Sequence, residues 1–129
     1  LAAMQHTQSK RIGFIAPYTP DVSQSMVDEL EMHGIKVLVA ATFNEPEARI
    51  VGRITPESIE AACKEIVKQD ALDAIFVACT SMKCARVIPK IESETGVVMM
   101  SSNQVLAWDM ARLSGVAGEI LNKGKLFEA

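Results

Sequence analysis

Short apolar runs alternate along the chain with longer stretches of helical periodicity. Four apolar runs predict the strands of a parallel sheet: 12–16, 36–41, 74–78 and 97–100. The runs at 74–78 and 12–16 lack the polar alternation of a half-exposed strand and predict buried strands. Strands that alternate with helices imply right-handed parallel crossovers. We therefore predict an α/β fold with a four-stranded parallel sheet in the order 2-1-3-4 and helices on both faces, flavodoxin-like or Rossmann-like.

Local signals predict where the helices begin and which positions they bury. Asp21 is a candidate N-cap, Thr55-Pro56 opens a second helix, and Ser101 or Ser102 caps a third. Residues 42–54 predict a long loop, residues 1–10 a leading helix, and residues 116–129, with weak periodicity, a loosely held tail. The apolar helix positions are Val22, Met26, Val27 and Leu30 in the first helix, and Leu106, Met110 and Leu113 in the third.

Length and charge narrow the class of protein. A chain of 129 residues suits a single domain. A net charge of −3 without a basic stripe argues against binding to nucleic acid or to an anionic membrane surface. No apolar run approaches the roughly 20 residues that span a bilayer. An odd count of 3 cysteines favours a reducing cytoplasm, and the spacing of cysteine and histidine predicts no metal site.

Polar side chains follow the apolar runs at the predicted carboxyl edge of the sheet, where open α/β sheets bind ligands. The loops after Ala16, Ala78 and Met100 bring a phenol, a thiol, hydroxyls and an amide to one rim: Tyr18, Thr19, Cys79, Thr80, Ser81, Ser102 and Asn103. Each has a structural alternative. Free cysteine is often buried, the hydroxyl residues can cap helices, and Tyr18 can be a half-buried loop aromatic. Cys63 and Trp108 are predicted in the core.

This set of groups suits a carboxylate ligand, because hydroxyls and helix N-termini offer hydrogen-bond donors to an anion. Helix N-termini also favour the thiolate form of a nearby cysteine, and such a thiol can take and return a proton at carbon. No glycine-rich dinucleotide fingerprint or phosphate loop follows a strand, so the sequence predicts no nucleotide cofactor.

Four segments, taken in order, resemble the second half of the aspartate/glutamate racemase superfamily. They are RIGFIAPY at 11–18, GRITPE at 52–57, ACTS at 78–81, and SSNQ at 101–104 followed by Trp108. The similarity is greatest to the maleate cis-trans isomerase branch, with arylmalonate decarboxylases and ectoine-utilisation proteins beside it.

The resemblance implies a cofactor-independent enzyme built from two pseudo-equivalent halves, each bringing one cysteine to a shared cleft. In the isomerases one thiolate adds to the double bond and the intermediate rotates before it collapses. Cys79 matches the thiol that transfers the proton. Tyr18 matches a tyrosine that hydrogen-bonds a substrate carboxylate, and Thr80 and Ser81 fall where the superfamily lines a carboxylate pocket.

The chain departs from the isomerase pattern at Ala48, where the isomerases carry asparagine and decarboxylase relatives an apolar residue. It also reads as a C-terminal half, so we expect the isolated chain to be inactive. The expected partners are a small carboxylate and either a missing N-terminal half or a second copy of the chain. Without the other half, an apolar face would be exposed, and we expect that face to bind the second copy. The expected function is maleate isomerase-like; the alternatives are an arylmalonate-type decarboxylase and a non-catalytic carboxylate-binding remnant.

Overall fold

A four-stranded parallel sheet forms the centre of the fold. The structure is a computed structural model in which residues 1–116 and 120–128 are described. The strands lie in the order β2-β1-β3-β4 and every neighbouring pair is parallel, which confirms the predicted fold. Their bounds are Arg11–Ala16 for β1, Lys36–Thr42 for β2, Ala74–Val77 for β3 and Val98–Ser101 for β4.

Helices cover both faces of this sheet, as predicted. Within the described residues, no helix is long and apolar enough to cross a membrane. The leading helix of the sequence prediction is short, and a 3-10 turn at Lys125–Phe127 ends the described chain. The α-helices are Ala2–His6 (α1), Pro20–Met32 (α2), Ala48–Val51 (α3), Pro56–Ile66 (α4), Val87–Thr95 (α5) and Ser102–Leu113 (α6).

Alternate residues of a strand contact helices on opposite faces of the sheet, because successive side chains of a strand point in opposite directions. On one face, Ile12 packs in a cluster with Met4 of α1 and Trp108 of α6, and Phe14 packs with Val27 of α2. On the other face, Ile15 belongs to the cluster of α4 and α5. The central strands β1 and β3 are therefore covered on both sides, as their continuous apolar runs predicted.

The N-caps decide where the helices begin at the carboxyl edge of the sheet. Ser101, rather than Ser102, caps α6, and its hydroxyl accepts a hydrogen bond from the Gln104 amide at 3.3 Å. The prediction of Asp21 as the cap of α2 is wrong. Thr19 is the N-cap, and the helix begins at Pro20, whose fixed φ and missing N–H suit the first helical position.

Three other sequence predictions need correction. Residues 42–54 are not a structureless loop, since α3 forms within them and buries Val51. Val22 does not join the core side of α2, because its side chain is 46% exposed while Ser23 is buried in its place. The predicted stripe of α6 also faces solvent: Leu106, Met110 and Leu113 are 56%, 61% and 72% exposed.

The end of the tail, which the sequence predicts to be loosely held over 116–129, makes several contacts with the rest of the fold. Residues 117–119 and 129 lie outside the described residues. In the described part, Leu126 is fully buried beside Met100, and Gln104 Nε2 donates to the Lys123 carbonyl at 2.7 Å. The backbone N–H of Lys125 donates to the Glu92 carboxylate at 2.8 Å. These contacts join the tail to α5 and α6.

Candidate active site

The ends of β1, β3 and β4 come together at one edge of the sheet. Ile15 lies opposite Val77, and Val77 lies opposite Ser101, so the loops that leave these strands begin side by side. This register carries Tyr18 and Cys79 to the same rim, with the N-terminus of α6 beside them.

Cys79 is the centre of a small hydrogen-bonded group. It is half-buried and follows directly after the buried residue Ala78. Its backbone N–H donates to Ser102 Oγ at 3.1 Å, and its thiol is the hydrogen-bond partner of the Tyr18 hydroxyl. Two of the predicted site residues therefore contact Cys79, Ser102 at its backbone N–H and Tyr18 at its thiol.

Tyr18 is held by its backbone as well as by its hydroxyl. Its carbonyl oxygen accepts hydrogen bonds from the hydroxyls of Thr42 and Ser23. Burial raises the pKa of its phenol above the ordinary value, and the hydrogen bond to Cys79 and the negative charge that Cys79 can carry raise this pKa further. Tyr18 is therefore a proton-bearing donor toward the sulfur at neutral pH.

The other predicted site residues lie on a neighbouring cavity instead. Thr80 and Ser81 are exposed on its wall, and Asn103 is exposed beside them. The amide of Asn103 is already engaged, because Nδ2 donates to the Thr80 carbonyl at 2.8 Å. Neither Cys79 nor Tyr18 lines this cavity, so the structure separates the predicted site into a thiol group and an adjoining hydroxyl group.

Three cationic side chains on this cavity, of about 770 Å³, were not predicted as site residues. Lys83 and Arg86 lie in the segment between β3 and α5, so the sequence alone could have indicated them as candidates at this edge of the sheet. Lys123 could not have been found in this way, since its place depends on the packing of the tail. Among the described residues the cavity wall carries no carboxylate, so its charge favours an anion.

The remaining cysteines are structural. Cys63 and Cys84 are buried, and burial raises the pKa of each thiol to about 12. Cys63 is thus a core residue, as predicted, and so is Trp108, which is 8% exposed and packs against His6 with ring centroids 5.0 Å apart. Cys79 is the one cysteine of the three that is not buried.

No metal site is formed by the part of the chain that the structure describes. Residues 1–116 and 120–128 contain no group of three or more histidine, cysteine, aspartate or glutamate side chains arranged to hold an ion. The groups present at the strand ends can donate hydrogen bonds, bind an anion and exchange a proton at sulfur.

Curated relatives match nearly the whole chain but only half of their own length. A maleate isomerase of Geobacillus stearothermophilus is 22% identical over 118 residues, which are 92% of this chain and 47% of the relative. A maleate isomerase of Alcaligenes faecalis is 23% identical over 118 residues, 91% of this chain and 46% of the relative. The chain therefore spans about half the length of the curated relatives it matches.

Solved structures share the fold. A Nocardia farcinica maleate cis-trans isomerase bound to TRIS superposes with a TM-score of 0.92 at 20% identity, covering 98% of this chain and 51% of that one. An arylmalonate decarboxylase superposes with a TM-score of 0.88 at 19% identity, covering 98% of this chain and 57% of that one. A family model described as arylmalonate decarboxylase matches residues 1–127. The chain belongs to the arylmalonate decarboxylase family.

Proposed function

We propose that the chain forms one half of a cofactor-independent active site that isomerises a small dicarboxylic acid, with Cys79 as the thiol acid and base. The observation that carries this proposal is the pairing of Cys79 with Tyr18. Cys79 is the half-buried thiol, and its partner is the single tyrosine of the chain. The similarity to maleate isomerases over 118 residues supports the reaction class.

Tyr18 supports the proton-transfer role. Its raised pKa keeps the phenol protonated at neutral pH, so the hydroxyl can stabilise a thiolate by donating a hydrogen bond to it. A thiol that loses its proton beside such a donor can return that proton to a substrate carbon. The buried thiols of Cys63 and Cys84 cannot share this work, because their pKa of about 12 keeps them protonated.

In the proposed reaction a second thiolate adds to the carbon–carbon double bond. A carbon–sulfur bond forms as the π bond breaks, and the adjacent carbon takes the proton of Cys79. After rotation about the new single bond, the Cys79 thiolate removes that proton and the carbon–sulfur bond breaks, giving the trans acid. A mutant Nocardia farcinica maleate cis-trans isomerase has been solved with a covalently bound succinylcysteine intermediate, which supports thiol addition in that relative.

The second thiol has to come from outside the chain. It belongs, in this proposal, either to an N-terminal half or to a second copy, because the relatives have about twice the length. The hydroxyls of Thr80 and Ser81 and the cations Lys83 and Arg86 would bind the substrate carboxylates. A cytoplasmic location is part of the proposal, supported by three free cysteines.

A decarboxylase of arylmalonate-like acids is the second candidate. The family model and the apolar residue at Ala48 favour it. Loss of carbon dioxide would leave an enediolate, and the Cys79 thiol would protonate its carbon. A third candidate retains the anion pocket without turnover, as a carboxylate-binding remnant.

The test compares Cys79→Ala with Cys63→Ala, which removes a core thiol instead. Each protein, at high concentration and together with any natural N-terminal half, is given maleate or phenylmalonate in heavy water and followed by proton NMR. We expect fumarate from the wild type, a loss of about a hundredfold or more in Cys79→Ala, and a small effect in Cys63→Ala. Deuterated phenylacetate would indicate the decarboxylase. Saturable binding of maleate without any product would indicate the carboxylate-binding remnant. Undiminished turnover by Cys79→Ala would reject the role of Cys79.

A further inference from the structure

We propose that Ser102 and Asn103, in the first turn of α6, are positioning residues that hold the Cys79–Thr80 backbone in a conformation the loop would not keep alone. The inference deepens the proposed function and rests on the role of Cys79 given there. The sequence predicted both residues as substrate ligands. The geometry assigns the Ser102 oxygen and the Asn103 amide to the loop instead.

The conformation of Cys79 is unusual. Its φ is 87°, a backbone region that side-chain-bearing residues rarely adopt. The other non-glycine residues with positive φ in the described chain are Gln8, Asn44 and Asn122, at 56°, 49° and 62°, close to the left-handed helical well. Strained residues of this kind cluster at functional sites and persist where the surroundings fix them. The contacts of Cys79 should therefore contain what fixes it.

The backbone of Cys79 and Thr80 is bonded both within the loop and to α6. The Cys79 N–H donates to Ser102 Oγ at 3.1 Å, and the Cys79 carbonyl accepts from the Met82 N–H at 3.2 Å. One residue further on, the Thr80 carbonyl accepts from Asn103 Nδ2 at 2.8 Å. The Met82 bond closes the turn within the loop itself. The two bonds from Ser102 and Asn103 cross to another element, 23 residues along the chain.

These two bonds control the direction of the thiol. With φ positive, the Cβ of Cys79 leaves the backbone on a different side than it would in a continued strand, and its sulfur meets the Tyr18 hydroxyl. Without the bond from Ser102, the loop can relax to negative φ and carry the sulfur away. Loss of the Asn103 bond would release the next carbonyl with the same result.

The chain offers a direct readout, because it contains a single tyrosine and a single tryptophan. Phenolate absorbance therefore follows Tyr18 alone, and tryptophan fluorescence reports whether the protein stays folded. Part of the rise in the Tyr18 pKa comes from Cys79, so Cys79→Ala should lower the phenol's pKa and increase its ionisation constant. Ser102→Ala should produce the same increase, and the double variant should add nothing to it.

Matched variants separate positioning from general damage. Ser102→Thr keeps a hydroxyl acceptor and should retain the wild-type titration, and Ser114→Ala, an exposed serine at the end of α6, should do the same. Asn103→Ala should move the titration in the same direction as Ser102→Ala. If Ser102→Ala unfolds, Asn103→Ala decides the question.

An unchanged Tyr18 titration in a folded Ser102→Ala protein, with Cys79→Ala shifted, would overturn the inference. In the proposed reaction, positioning predicts a lower kcat with KM unchanged, whereas a substrate ligand would raise KM. Full turnover by Cys79→Ala would reject the proposed function, while the titration would still decide whether Ser102 and Asn103 hold the loop.

Discussion

Glu92 is the one buried charged residue among those described, and it joins three parts of the fold. Its two carboxylate oxygens accept from the backbone N–H groups of Met99, at 3.0 Å, and Lys125, at 2.8 Å. Burial raises the pKa of this carboxyl above its ordinary value of 4.5, although both hydrogen bonds and the Lys125 charge act in the opposite direction. The folded protein therefore holds the proton of Glu92 more tightly than the unfolded chain does.

This difference predicts a pH-dependent effect of Glu92→Gln. As pH rises above about 4.5 toward neutrality, the unfolded chain loses the proton first, so Glu92 reduces the stability of the fold. Glutamine cannot ionise. The free energy of unfolding of Glu92→Gln should therefore increase relative to that of the wild type across this range. The increase is about 1.4 kcal/mol for each tenfold difference in the proton affinity of Glu92 between the folded and unfolded states.

Urea titration followed by Trp108 fluorescence at several pH values measures this gain. Glu57→Gln, at an exposed position in the first turn of α4, serves as the control and should show no such trend. A difference between Glu92→Gln and the wild type that stays constant with pH would contradict the prediction.

The positions of Tyr18 and Cys79 at neighbouring strand ends were predictable, and the contacts of these residues were not. The buried run before Cys79 sufficed to place the thiol at a strand end, because apolar runs and strand polarity are local properties. The positive φ of Cys79 and the bonds from Ser102 and Asn103 depend on elements 23 residues apart. Sequence spacing does not encode that approach, so the sequence could predict Asn103 at the rim but not its hydrogen bond to the Thr80 carbonyl.

At the scale of the elements, the attachment of the tail to the rest of the fold can be tested at Gly124. Gly124 lies at φ 99°, and a Cβ there would come within 2.6 Å of Ile88 Cγ2 and 2.7 Å of Gln104 Nε2. Gly124→Ala should therefore lower the free energy of unfolding by about 1–3 kcal/mol, through backbone strain and overpacking. Gly52→Ala is the matched control, because a Cβ at Gly52 meets nothing within 4 Å.

Thermal or urea unfolding of the two alanine variants distinguishes an anchored tail from a loose one. A tail that did not contribute to the fold would relieve the strain by detaching, and Gly124→Ala would then resemble Gly52→Ala. Equal stabilities for the two variants would therefore support the loosely held tail that the sequence predicts.

The order of the elements followed from the sequence, whereas the direction of the helix faces did not. Buried strands with helical crossovers determined the 2-1-3-4 sheet. In α6, however, helical periodicity offered two faces. The structure buries Trp108 and Gln104 and leaves Leu106, Met110 and Leu113 in solvent. Periodicity alone does not tell which side the rest of the fold covers.

At the scale of the whole molecule, α6 carries a row of exposed apolar side chains. We call this set the α6 patch. Its members are Leu106, Met110 and Leu113, which are 56%, 61% and 72% exposed. Exposed apolar sets of this kind mark interaction surfaces. We therefore expect the self-association predicted from the sequence to use this patch.

Substitutions in the α6 patch should weaken that association. Met110→Lys and Leu113→Lys place a charge that would lose its hydration in an interface, and each should raise the dissociation constant by at least about tenfold, or 1.4 kcal/mol. Met32→Lys is the control, because Met32 is 81% exposed at the end of α2, apart from the patch. Sedimentation velocity over a concentration series measures the constants. A wild-type protein that stays monomeric at high concentration would contradict self-association, and equal weakening by Met32→Lys would place the contact elsewhere.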